Sequence, residues 1–148
     1  MTTRDVDVNV AETGSSDEVI DPDADPVVVQ QLWPETRPSW SDVTSAGIFR
    51  IEPNGRFDRH YHDCDEYWLL FAGRARIAVG AARYDVGAGD IVCTRAGIEH
   101  DILEVDGTLE GFWFEGQTPP GGRIGHLHRT QEDAAGHDVR PMSGDRPA

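Results

Sequence analysis

Apolar and polar residues alternate at close intervals between about Ser45 and Glu115, and turn residues interrupt the alternation every few positions. A period of two belongs to half-buried extended backbone, because successive side chains there point to opposite faces. The pattern predicts strands over 46–52, 57–62, 66–72, 75–79, 82–86, 90–93, 99–104 and 109–115. The breaks are Pro53-Asn54-Gly55, Gly73-Arg74, Gly80-Ala81, Gly87-Ala88-Gly89, Arg95-Ala96-Gly97 and Asp106-Gly107, all rich in residues that favour turns. No stretch of this body sustains a helical period over three turns. Many short strands at close spacing are the signature of a sandwich or barrel, so the expected fold class is all-β.

The flanks read differently. Residues 1–26 are acidic and polar and end in Asp21-Pro22-Asp23-Ala24-Asp25-Pro26, the composition of a self-repelling, disordered arm. A short apolar stretch, Val27 to Trp33, precedes a loop marked by Pro34 and Pro38 and suits an edge strand. From Gly116 the chain turns Pro- and Gly-rich, then polar. The expected organisation is an arm over 1–26, one barrel domain over 27–118, and a polar, mobile tail over 119–148. His126-Leu127-His128 falls in that tail and is read as a tail segment or a lid over the barrel mouth rather than as a second metal pair.

Charge narrows the partners. There are 27 acidic and 13 basic residues, a formal net charge of −14. Such a chain repels phosphates, which argues against nucleic acid and anionic membranes and leaves a small molecule as the expected partner. Every basic residue is arginine, so a Schiff-base lysine is excluded. No apolar run approaches the roughly 20 residues of a membrane helix, and the acidic start does not resemble a secretion signal. Cytoplasmic location is expected. Cys64 and Cys93 make no disulfide framework. Cys64 is read as a filler beside a turn, Cys93 as core.

The candidate chemistry lies in His60-Tyr61-His62-Asp63-Cys64-Asp65-Glu66. In a strand His60 and His62 share a face, and Glu66 joins them if the residues between stay extended or bulge only slightly. His100 is the candidate fourth ligand. Imidazoles with one carboxylate suit a divalent first-row transition metal, with open positions that suit catalysis. The alternative is a set of solvated turn residues. Strand parity places Arg56 and Asp58 on the face of His60 and His62, Trp68 and Leu70 with Glu66, and Ile102 with His100. On the last strand either Leu109, Gly111 and Trp113 or Phe112 and Phe114 point inward. A one-residue slip reverses each assignment.

These motifs resemble those of the cupin superfamily. Gly55, His60, His62, Glu66 and Gly73 follow the first cupin signature, with Gly55 one residue closer to the histidines than is usual. Gly89, Gly97 and His100 follow the second, with Arg95 in place of its proline and Glu104 in place of a frequent asparagine. The resemblance covers roughly residues 46–115. It implies a single-domain jelly-roll barrel, the double-stranded β-helix, in which His60, His62, Glu66 and His100 bind one divalent ion: iron, zinc, nickel or manganese. One carboxylate leaves a divalent site at net +1, which suits a small polar or anionic metabolite. Within the superfamily the leading expectation is an Fe(II)-dependent dioxygenase. The alternatives are a non-redox isomerase, lyase, cyclase or nitrogen–nitrogen bond-forming enzyme, a ligand-binding cupin without catalysis, and a structural metal site. The resemblance also implies a homodimer in which the apolar stretch 27–33 crosses to the partner barrel.

Overall fold

In a computed structural model, which describes residues 28–143, the alternation becomes a barrel dominated by two long strands. The elements are β1 (Ser45–Ile51), β2 (Arg56–Phe57), β3 (Glu66–Val79), β4 (Ala82–Gly87), β5 (Ile91–Thr94), β6 (His100–Glu115), α1 (Gln131–Ala135), β7 (His137–Asp138) and β8 (Arg140–Pro141). The main sheet runs β1-β6-β3-β4, with β5 against β3 and β8 against β6, while β2 and β7 form a separate pair. β6 pairs β1 from Ser45↔Glu115 to Ile51↔Leu109. It also pairs β3 in two stretches, Glu66↔Glu115 to Leu70↔Gly111 and Arg74↔Asp106 to Val79↔His100.

Four expected strands are therefore two. The breaks at Gly73 and Gly107 are bends inside β3 and β6, both glycines having positive φ. The register shifts around Ala72 and Arg74 are the bulges that let one long strand curve around a barrel. The expected strand over 57–62 is instead the two-residue β2, followed by single bridges at His60 and Tyr61.

Alternation on β3 and β6 builds the core. Trp68, Leu70, Ala75, Ile77, Ile102, Val105 and Leu109 are buried together with Val92 and Val139. Burying each large aliphatic side chain contributes about 1.5–3 kcal/mol. Leu109 and Gly111 face inward and Phe112 outward, which decides between the two readings of the last strand. Cys93 faces outward, against expectation. In β5 it alternates with Val92 and Thr94, which take the inner face.

The C-terminal segment also departs from expectation. Its described part is no mobile tail. Leu127 bridges Tyr61, β7 covers β2, β8 runs parallel to β6, and Val139 is fully buried in the core. Thr130 caps α1 by accepting from the Asp133 backbone N–H. At the other end, Leu32 pairs with Ala46 of its own β1. The arm expected over 1–26 lies outside the described residues.

Candidate metal centre

The two histidine motifs meet through backbone hydrogen bonds. His60 and His100 pair directly, His60 N–H donating to His100 O at 3.2 Å and His100 N–H to His60 O at 2.8 Å. Gly97 N–H donates to His62 O. Asp63 and Asp65 hold the intervening loop: Asp63 accepts from the backbone and guanidinium of Arg123, and Asp65 from Ala96 N–H. These acids therefore act as clamps on the loop.

One ligand-competent atom each of His60, His62, Glu66 and His100 lies within 4.8 Å of the others, and all four residues are buried. Each histidine has its Nδ1 beside a main-chain carbonyl: His60 at Asp58 O (2.6 Å), His62 at Gly125 O (3.0 Å), His100 at Ile98 O (3.3 Å). A carbonyl only accepts, so Nδ1 carries the proton and Nε2 keeps its lone pair. The Nε2 atoms of His60 and His100 are then 3.0 Å apart with two lone pairs facing. A cation between them resolves that repulsion. His62 Nε2 and Glu66 Oε2 are buried without a hydrogen bond; Oε2 lies 2.8 Å from His100 Nε2 but outside hydrogen-bonding angles. Orphaned buried polar atoms converging on one point are what a metal site requires. The four residues fit one divalent ion.

The electrostatics agree at His60 and Glu66. Burial, reinforced by His100 and His126, pushes the His60 imidazole down to about 3, which keeps it neutral. Burial would lower His62, but Glu66 and Glu115 outweigh it and raise it. Burial would raise Glu66, yet the His100 and His62 imidazoles hold it well below the usual carboxylate range. Cys64 is pushed up to about 11 by burial and by Glu115, so it stays a thiol at neutral pH.

A cavity of about 340 Å³ opens beside these ligands. Trp68, Ile102 and Trp113 line it. Arg56 does not. It is an exposed partner of Asp138, and Phe57 takes the inward place, because Asp58 and Arg59 leave the strand and break the parity between Phe57 and His60. Asp58 sits behind His60 rather than in the cavity wall. Its Oδ2 accepts from His126 Nδ1 (2.8 Å) and His128 Nε2 (2.6 Å). Burial would raise its carboxyl, but these two hydrogen bonds hold it well below the usual range. His126 lies flat on His60, ring centroids 3.6 Å apart and planes 6° from parallel, and lines the cavity. Of the two readings for 126–128, a lid at the barrel mouth describes the placement. Asp58, His60 and His126 form a second grouping within 4.8 Å, but it shares His60 with the first.

Residues 47–115 match the Cupin domain family. The barrel belongs to the cupin superfamily. The cupin chain is also 41% identical over 116 residues to the uncharacterized protein y4oW of Sinorhizobium fredii, covering 68% of this chain and 53% of that protein. It thus spans about half the length of that relative. Among solved structures it resembles the DMSP lyase DddQ of Ruegeria pomeroyi, with TM-score 0.55 and 20% identity over 67% of this chain and 49% of that one. It also resembles an oxalate decarboxylase of Lactobacillus farciminis, with TM-score 0.52 and 23% identity over 60% and 28%. At these identities the likeness extends to the fold.

Sequence reasoning missed Glu115 and His126 as cavity residues. The alternation that turns Trp113 inward also turns Glu115 inward two positions later. His126 had a visible signal, a second His-x-His, but nothing local tied it to Asp58, 68 positions away.

Proposed function

We propose that this cupin is a metal-dependent enzyme that binds one divalent transition ion at His60, His62, Glu66 and His100 and acts on a small molecule in the adjoining cavity. The observation that carries it is the convergence of Nε2 lone pairs and an orphaned carboxylate oxygen on one point beside that cavity. When bound, the metal would supply Lewis acidity, polarising a substrate oxygen and stabilising developing negative charge.

His126 favours the non-redox reading, a lyase or isomerase. Its Nδ1 is tied to Asp58, so Nε2 is the ring nitrogen left to the cavity, and a carboxylate behind an imidazole orients it for proton transfer. Substrate C–H or O–H protons can pass to that nitrogen while Trp68 and Ile102 exclude water. The Fe(II)-dependent dioxygenase remains the second reading, because the same ligand set suits it.

Purified protein should carry near one equivalent of metal by plasma mass spectrometry. His60→Ala and Glu66→Gln should each lower it at least about tenfold, since each removes one of four ligands. Wild-type metal content no higher than that of the variants would refute the site. Oxygen uptake coupled to turnover would select the dioxygenase; turnover unaffected by anaerobiosis would select the lyase or isomerase.

The homodimer is proposed through a different surface from the 27–33 stretch. Ile48, Phe112, Leu69 and Ile91 are neighbours in register across β1, β6, β3 and β5, and all four are exposed. A row of apolar side chains on the outer face of a sheet suits burial against a second copy.

A further inference from the structure

We propose that the cavity binds a small carboxylate that carries a quaternary ammonium or sulfonium group, the onium end seated against Trp33, Trp68 and Trp113 beside Glu115. This rests on the reading of the cavity as the substrate site.

The wall is aromatic on several sides. Trp33 and Trp113 have ring centroids 5.8 Å apart, and Phe49 and Phe57 lie 5.5 and 6.2 Å from Trp68. Aromatic faces carry negative quadrupole density and attract desolvated cations, most strongly at tryptophan. Among the described residues, no arginine lines the cavity, and its anionic side chains are Glu66 and Glu115.

Glu115 is the telling residue. Its carboxylate is largely buried and accepts from Ser45 Oγ. Its other oxygen lies 3.4 Å from His62 Nδ1, whose proton goes to Gly125 O. No permanently cationic side chain among the described residues pairs with it in the cavity. A buried charge left in that state is costly, and a cationic ligand relieves the cost.

The charge count changes with it. With Glu66 alone, a divalent ion leaves net +1 and favours anions. Glu115 cancels that excess. A dianion then meets no net attraction, and the expectation of a small polar or anionic metabolite narrows to a zwitterion. Its carboxylate takes the metal's open positions and its onium group takes the aromatic end.

The test is a titration of wild-type protein, followed by tryptophan fluorescence and calorimetry. The probes are the trimethylammonium derivative of propanoate, its carbon isostere with a tert-butyl group in place of trimethylammonium, malonate, and tetramethylammonium. The onium acid should bind about tenfold or more tighter than the isostere. Glu115→Gln and Trp113→Leu should remove most of that preference, and Trp113→Phe should keep it. Tetramethylammonium has no metal-binding group, so it should bind metal-stripped protein as well. If it does while no metal is ever retained, the metal reading fails and the onium site stands. Equal or tighter binding of the isostere or of malonate, or no binding of either onium probe, overturns the proposal.

Discussion

At the scale of the residue, two of the four cupin-signature glycines are asked for different things. Gly73 has φ +78°, and a Cβ there would lie 2.2 Å from Thr108 O, a backbone atom of the opposing strand that cannot swing aside. Gly97 has φ +80° and open space around it. Gly73→Ala should therefore cost about 3–5 kcal/mol, left-handed strain and overpacking together, whereas Gly97→Ala should show only the strain, about 1–2 kcal/mol. Urea unfolding of the two variants checks this; equal losses would mean that the close approach at Gly73 is relieved by backbone movement. The histidines show the same dependence on surroundings. Five of the six gather at the barrel mouth, and four of these take their role from what faces Nδ1: a carbonyl for His60, His62 and His100, a carboxylate for His126.

At the scale of the element, the C-terminal strap holds the site together. Gly125 O orients His62, His126 covers His60, and Val139 closes the core beneath. Val139→Ala should destabilise the chain by about 1.5–3 kcal/mol, a two-methyl deletion at a fully buried position, measured as a shift in the urea midpoint. The strap is further tied by His137 Nε2–H, which donates to Asp101 Oδ1 at 2.7 Å. Burial would lower the His137 imidazole, but Asp101 outweighs it and raises it. A group whose pKa is raised on folding adds stability below its ordinary value, about 6.5, and loses that contribution as pH rises through the higher folded value. Burial raises Asp101 too, which acts in the same direction. The His137 midpoint by NMR should therefore lie above 6.5 and fall toward it in Asp101→Asn, and the stability gap between wild type and that variant should narrow from about pH 6 to about pH 8. A gap that widens with pH would contradict the assignment.

At the scale of the whole molecule, the hydrophobic cluster and the ligand cluster are separate sets that meet at Trp68, which packs in the core and touches the His100 ring edge-on. Chelation should therefore lower the melting temperature without unfolding the barrel at room temperature. At a metal concentration a hundredfold above its dissociation constant the loss is about 2.7 kcal/mol. Retention of the far-UV circular dichroism spectrum after chelation is the expected result; complete unfolding would mean that the metal is structural. The outer row supplies a second prediction. Leu69→Lys places a charge in the middle of the proposed dimer face, and sedimentation should show wild-type dimer and variant monomer. Among the described residues no helix is long and apolar enough to cross a membrane.

The all-β barrel was legible in the sequence as a period of two, and His60, His62 and Glu66 as one short motif; His100, 40 positions from His60, joined them through the resemblance to the cupin signatures. Strand lengths were not legible. Gly73 and Gly107 look like turns until the partner strand shows that they are bends. Strand parity failed between Phe57 and His60, where the chain leaves the sheet and alternation no longer links position to face. The strap, the Asp58–His126 contact and the pairing of Glu115 with Ser45 were decided by tertiary structure alone. Each joins residues far apart in the chain, and local propensity carries no information about which distant side chain will face a given nitrogen or carboxylate.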